Sequence, residues 1–214
     1  MMLIVIAIVV VCFVWILFFS RSIMLGKILY ETSNKIDTRL AKLVKTDVSI
    51  DSTQYVYLSN ECKDRPYLLL LHGFSADKTI WLKFAKHATK EFNLLIPDLL
   101  GHGEIAYNPA QSYSSLAQAN YMVGFIKYIL NKQPDARFVI AGNSMGGMIT
   151  AQLNKQWLNE GLNEQQLLTS MLIDPAGAKS DFAKNMHANQ QNPFVHIKAE
   201  TVFEFYRLAM NKPP

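Results

Sequence analysis

Phe138-Val139-Ile140-Ala141-Gly142-Asn143-Ser144-Met145-Gly146-Gly147 joins a short apolar run to a helical pattern with no spacer between them. Residues 138–141 suit a strand buried on both faces. Met145, Ile149, Leu153 and Trp157 then continue at the spacing of one helix face. A G-x-S-x-G at such a junction has the form of a nucleophile elbow, a tight turn that holds serine in a strained backbone geometry. Gly142 and Gly146 leave room for the strand and helix to pack closely, and Ser144 Oγ projects beyond the carboxyl end of the strand.

Similar apolar runs occur at 67–71, behind Pro66, and at 94–97 and 171–173. Helical patterns lie between them: Ile80 or Trp81 to Phe84 and Ala88, then Leu116, Ala119, Val123, Ile126 and Leu130. Ahead of these, Val48 and Ile50, then Tyr55 and Tyr57, alternate as two antiparallel strands would. Strand, helix, strand, helix predicts an α/β fold with a mostly parallel sheet covered on both faces. Each run ends in small or polar residues, His72-Gly73-Phe74, Asp98 to Gly103, the serine turn itself, and Asp174-Pro175-Ala176-Gly177. In an open parallel sheet the ligand crevice lies beyond those ends.

Taken in order, His72-Gly73-Phe74-Ser75-Ala76, Asp98-x-x-Gly101-His102-Gly103 and Gly142-Asn143-Ser144-Met145-Gly146-Gly147 resemble the lipase and monoacylglycerol-lipase branch of the α/β-hydrolases, notably its membrane-anchored members. The resemblance runs from about Tyr55 to Gly177. It implies the α/β-hydrolase fold and cleavage of carboxylic esters, acylglycerols or other lipid esters, through an acyl-Ser144 intermediate. It also implies an oxyanion held by the backbone N–H groups of Phe74 and Met145, with Gly142, Gly146, His72 and Gly73 supporting the elbow and turn. No cofactor and no metal are expected. The elbow also resembles that of hydrolases that cleave carbon–carbon bonds in ring-fission products, although Phe74-Ser75-Ala76 favours the lipase branch. A catalytically inactive membrane-bound relic is the third reading.

His72 and His102, each beside glycine in a turn, are expected to shape the pocket, His87 to sit on a solvated helix face, and Asp98 to brace its turn. The family places its catalytic acid and then its histidine on loops after two later strands. After Asp174 the sequence reads instead as the start of a helical cap, with Phe182, Met186, Phe194, Val202, Phe203 and Tyr206 among its apolar positions. The fold is therefore expected to be incomplete at the carboxyl end, without the acid and base; Asp174 with His187 or His196 is the alternative within the chain.

The 214 residues, 50% of them hydrophobic, suffice for a sizeable core. A net charge of +4 without a basic run argues against a nucleic-acid partner. Cys12 and Cys62 allow no disulfide framework. Residues 1–20 begin with an uncharged run from Met1 to Phe19 that predicts a transmembrane helix. Over 21–45, Leu25, Leu29, Thr32, Ile36, Leu40 and Leu43 form an apolar stripe opposite Arg21, Lys27, Lys35, Arg39, Lys42 and Lys45, which predicts a basic amphipathic helix on the membrane surface. Its alternative is a stripe packed on the domain. The basic residues after the span place the hydrolase on the cytoplasmic side. The remaining boundaries are 46–177 for the core and 178–214 for the cap.

Overall fold

The computed structural model describes residues 21, 24–62, 64–177 and 184. The expected span over 1–20 and nearly all of the expected cap, with His187 and His196, lie outside them. The chain divides into two compact units, Met1–Ala176 and Gly177–Pro214. The first contains helix α1 (24–40), strands β1 (Val44–Ile50), β2 (Thr53–Ser59) and β3 (Tyr67–Leu71), a 3-10 turn (Lys78–Trp81) leading into α2 (Leu82–Ala88), β4 (Asn93–Pro97), α3 (Ser115–Lys132), β5 (Phe138–Asn143), α4 (Met145–Gln156) and β6 (Leu167–Ile173). Among the described residues no helix is long and apolar enough to cross a membrane.

One six-stranded sheet has the order β1-β2-β4-β3-β5-β6. β1 pairs with β2 and β2 with β4 antiparallel, whereas β4, β3, β5 and β6 run parallel. From β3 the chain moves to one side to make β4 and to the other to make β5. That reversal opens a crevice at the carboxyl ends of β3 and β5.

The two-residue period of each strand divides the core between the faces. Tyr67, Leu69 and Leu71 of β3, Leu95 of β4, and Phe138 and Ile140 of β5 join the cluster covered by α3 and α4, with Met122, Phe125, Ile149 and Trp157. Leu68, Leu70, Leu94, Ile96 and Ala141 point to the other face, where Leu82, Ala85 and Ala88 of α2 meet Ala41 and Leu43. The central runs are thus apolar throughout because both faces are covered. α3 starts at Ser114, whose side chain accepts from Ala117 N at 3.2 Å; such a cap contributes about 1 kcal/mol.

α1 ends at residue 40, short of the expected 45. Lys42 takes the left-handed conformation (φ 54°), Leu43 N donates to Thr38 O at 3.0 Å and Lys42 N to Arg39 O at 2.9 Å. This Schellman closure turns the chain, so Leu43 leaves the expected stripe and enters the core, and Val44 opens β1. Leu25, Leu29, Ile36 and Leu40 are exposed, so among the described residues the stripe does not pack on the domain.

Leu69→Ala, fully buried, is expected to cost about 2–5 kcal/mol, whereas Leu29→Ala should stay within about 0.5 kcal/mol of the parent. Urea denaturation of the two variants checks the assignment of core and surface.

Candidate active site

β5 delivers Ser144 to the crevice in an unusual backbone state, φ 54° and ψ −115°. A non-glycine residue held so costs on the order of 1–3 kcal/mol unless its surroundings fix it. They do so on both sides: Ser144 N donates to Ile173 O at 2.9 Å, and Ser144 O accepts from Ala176 N at 2.9 Å and from Met148 N at 3.1 Å. A Cβ on Gly142 would overlap the Gly146 carbonyl, and one on Gly146 would overlap the Leu71 carbonyl. Side chains at either position would therefore push α4 away from β5 and β3. Met145 opens α4, whose leading N–H groups have no carbonyl partner within the helix.

The turn after β3 lies against this elbow. A Cβ built on Gly73 would stand 3.4 Å from Ser144 Cβ and 3.5 Å from Asn143 Oδ1. His72 is fully buried. Leu99 N donates to its Nε2 at 3.0 Å, so the ring proton sits on Nδ1 and is donated to Gly73 O at 2.8 Å. Burial lowers the His72 pKa, and nearby His102 adds to the effect against the opposing pull of the Gly73 carbonyl. The neutral ring fixes the Gly73–Phe74 peptide, because carbonyl and N–H share one plane and point opposite ways. His72 thereby sets the direction of the Phe74 N–H. The His72 and His102 rings are 5.3 Å apart, and the half-exposed Phe74 meets His102 edge-on at 5.9 Å. Left-handed backbone recurs at Ser75 (φ 54°) and Asp174 (φ 42°), so the turns after β3, β5 and β6 all hold a strained non-glycine residue.

Lys78 escaped the sequence reading. It is buried, and its ammonium reaches the fully buried Asp98 at 2.5 Å and Glu104 at 2.8 Å. Asp98 also accepts from Lys78 N and Glu104 N, both at 2.9 Å, so it braces its turn. Lys45 completes the group at 2.7 Å from Glu104. Burial opposes the Lys78 charge, yet the hydrogen bonds to Asp98 and Glu104 prevail and hold its pKa above the ordinary value. Hydrogen bonds from Lys45 and Lys78 hold Glu104 below its own. The available signal was Asp98 itself, an acid at the end of an apolar strand that needs a counter-charge.

Asp174 is exposed and flanks the elbow through its neighbours Ile173 and Ala176. Among the described residues no group of three or more His, Cys, Asp or Glu could hold a metal ion. A surface hollow of about 930 Å³ lies at the amino ends of β3 and β5, lined by Arg65, Tyr67, Ala136 and Arg137 among others, at the far end of the strands from Ser144.

Lys78→Met should destabilise the chain by about 3–5 kcal/mol, since it leaves Asp98 as an uncompensated buried charge; adding Asp98→Asn should recover part of the loss in denaturant titrations. The pH dependence has a definite sign. A histidine whose folded pKa is lowered loses stability as pH falls below its ordinary value of 6.5. Glu104, also lowered, adds a second loss as pH falls below 4.5. Lys78, raised, contributes a loss only at alkaline pH. Thermal unfolding followed against pH should therefore show stability falling on the acid side in two steps, the first absent in a folded His72→Asn variant.

Comparison with known proteins agrees with this fold. The chain is 30% identical over 156 residues to monoacylglycerol lipase abhd6-B of Xenopus laevis, covering 68% of this chain and 44% of that protein. It is 27% identical over 191 residues to lipase 1 of Psychrobacter immobilis, covering 88% and 56% respectively. The chain thus spans about half the length of these relatives. Among solved structures, a membrane phospholipase A described as a bacterial virulence factor superposes with a TM-score of 0.74 at 30% identity, over 88% of this chain and 59% of that one. A family model described as the alpha/beta hydrolase family matches residues 68–210. With that match over most of its length, and with its mostly parallel sheet and serine elbow, the chain belongs to the α/β hydrolase family.

Proposed function

We propose that this chain carries the nucleophile and oxyanion hole of a serine hydrolase that cleaves carboxylic esters of lipids, held at a membrane by residues 1–20 with the hydrolase on the cytoplasmic side. The observation that carries the reading is Ser144 in its left-handed turn, packed against the His72–Phe74 turn. Ser144 Oγ attacks the ester carbonyl carbon and displaces the alcohol, and water then releases the acid from the acyl-serine. The N–H groups of Phe74 and Met145 receive the oxyanion that develops at each step, each such donor contributing about 10² to 10³ in rate. The amino-terminal dipole of α4 favours the same charge. The names of the relatives, a monoacylglycerol lipase and a lipase, support an acylglycerol-like substrate.

A serine hydroxyl needs a hydrogen-bonded base, oriented in turn by a third group. His72 gives both ring nitrogens to backbone and is not available for that work. The base is expected from outside the described residues, and removing it from a serine triad costs about 10⁶ in turnover.

Labelling with a fluorophosphonate probe tests both parts. The 214-residue chain should label weakly, a version extended by later strands whose loops carry the family's acid and histidine should label strongly, and Ser144→Ala should abolish labelling in the extended version. Strong Ser144-dependent labelling of the chain alone would assign its base to His187 or His196, with Asp174 as acid.

A further inference from the structure

α1 presents two distinct faces. Its half-buried positions are Asn34, Asp37 and Thr38, and Tyr30 Oη lies within hydrogen-bond reach of Thr79 Oγ1 at 3.0 Å. At about 100° per residue these four positions span one arc directed at the domain. Leu25, Leu29, Ile36 and Leu40 fall within an arc of roughly 60° centred about 140° away from it. They are 57%, 61%, 51% and 63% exposed. A helix that turns its polar side to its own domain and its leucines outward has an inverted amphipathic arrangement for a free surface, and such patches mark interaction sites.

Charge indicates the partner. Of the acids on α1, Glu31 pairs with Lys27 at 3.9 Å and Asp37 faces the domain, which leaves Lys35 and Arg39, together with Lys42 just beyond the helix, without a carboxylate partner among the described residues. Around the helix Arg39 stands about 70° and Lys35 about 110° from the centre of the stripe, along one side of it rather than opposite. An apolar stripe with cations along one side fits an anionic lipid interface. Two copies packed on the stripe would instead bring their own cations together.

The Tyr30–Thr79 contact sets α1 beside the 3-10 turn that follows the Gly73–Phe74 turn. The next residue, Ile80, and Phe84 one helical turn on are 54% and 47% exposed. α2 and the residues that end α1, Ala41 and Leu43, pack in one cluster on the same face of the sheet. We infer that α1 and the exposed Ile80 and Phe84 form a single surface that docks on an anionic lipid interface, so that the crevice of Ser144 opens beside the lipid. Its use in delivering lipid esters rests on the function proposed above; the docking itself does not.

The test uses the full chain with Cys12→Ala and Cys62→Ser, carrying single cysteines labelled with an environment-sensitive fluorophore and reconstituted into phosphatidylcholine vesicles with or without phosphatidylglycerol. Nitroxide lipids should quench most of the emission from Leu29→Cys, Ile36→Cys, Ile80→Cys and Phe84→Cys when phosphatidylglycerol is present. Leu158→Cys, exposed beyond α4 on the other face, should be spared. Lys35→Glu with Arg39→Glu should remove the dependence on phosphatidylglycerol. The labelled positions, Cys62, Lys35 and Arg39 are exposed, so folding is not at stake at them. Absence of quenching at Leu29→Cys and Ile36→Cys overturns the inference, and cross-linking between copies at Ile36→Cys would assign the stripe to a second copy. Quenching there but not at Ile80→Cys and Phe84→Cys overturns the single surface. Fluorophosphonate labelling of Ser144 is read separately, so failure of the chemistry and failure of the docking are distinguishable.

Discussion

The left-handed backbone of Ser144 is the constraint around which the described core is arranged. It requires α4 to begin at once, with Gly142 and Gly146 in close contact and no side chain between β5, α4 and the end of β3. It also requires β6 to be in place, since Ile173 O and the Ala176 N–H hold the serine peptide units from either side. The local cost is met by bonds that form only when three strands and a helix are assembled, which ties the site geometry to the integrity of the sheet.

A second set of polar contacts runs from the turn after β3 to the far edge of the sheet. The Gly73 carbonyl is held by His72, His72 by the Leu99 N–H, and the turn containing Leu99 by Asp98 with Lys78 and Glu104. Glu104 reaches Lys45 on β1, close to the end of α1. Each link pairs a donor with an acceptor, and the buried ones are costly to leave unmade. The direction of a single peptide beside the serine thus depends on charges placed outside the crevice.

α1 stands apart from this economy. Little of it is buried; a Schellman closure, the insertion of Ala41 and Leu43 into the core, and one tyrosine hydroxyl hold it to the domain. Its placement is intelligible as that of a helix whose principal apolar contact lies outside the domain, next to a run of chain that carries no charge from Met1 to Phe19.

The sequence by itself determined what is encoded over a few residues. The glycines around Ser144, the unbroken apolar runs of β3, β4 and β5, and the stripe of α1 were legible because periodicity and turn chemistry act locally. Asp98 could be read as a brace, but not its partner, because Lys78 lies twenty residues earlier and looks like any solvated lysine. The end of α1 at residue 40 was hidden for a similar reason: Lys42 accepts a left-handed conformation only because Leu43 gains a place in the core. Strand order, the proton position on His72 and the outward direction of the α1 stripe were decided by tertiary structure alone. Each depends on which distant groups meet, and separation along the chain carries no record of that.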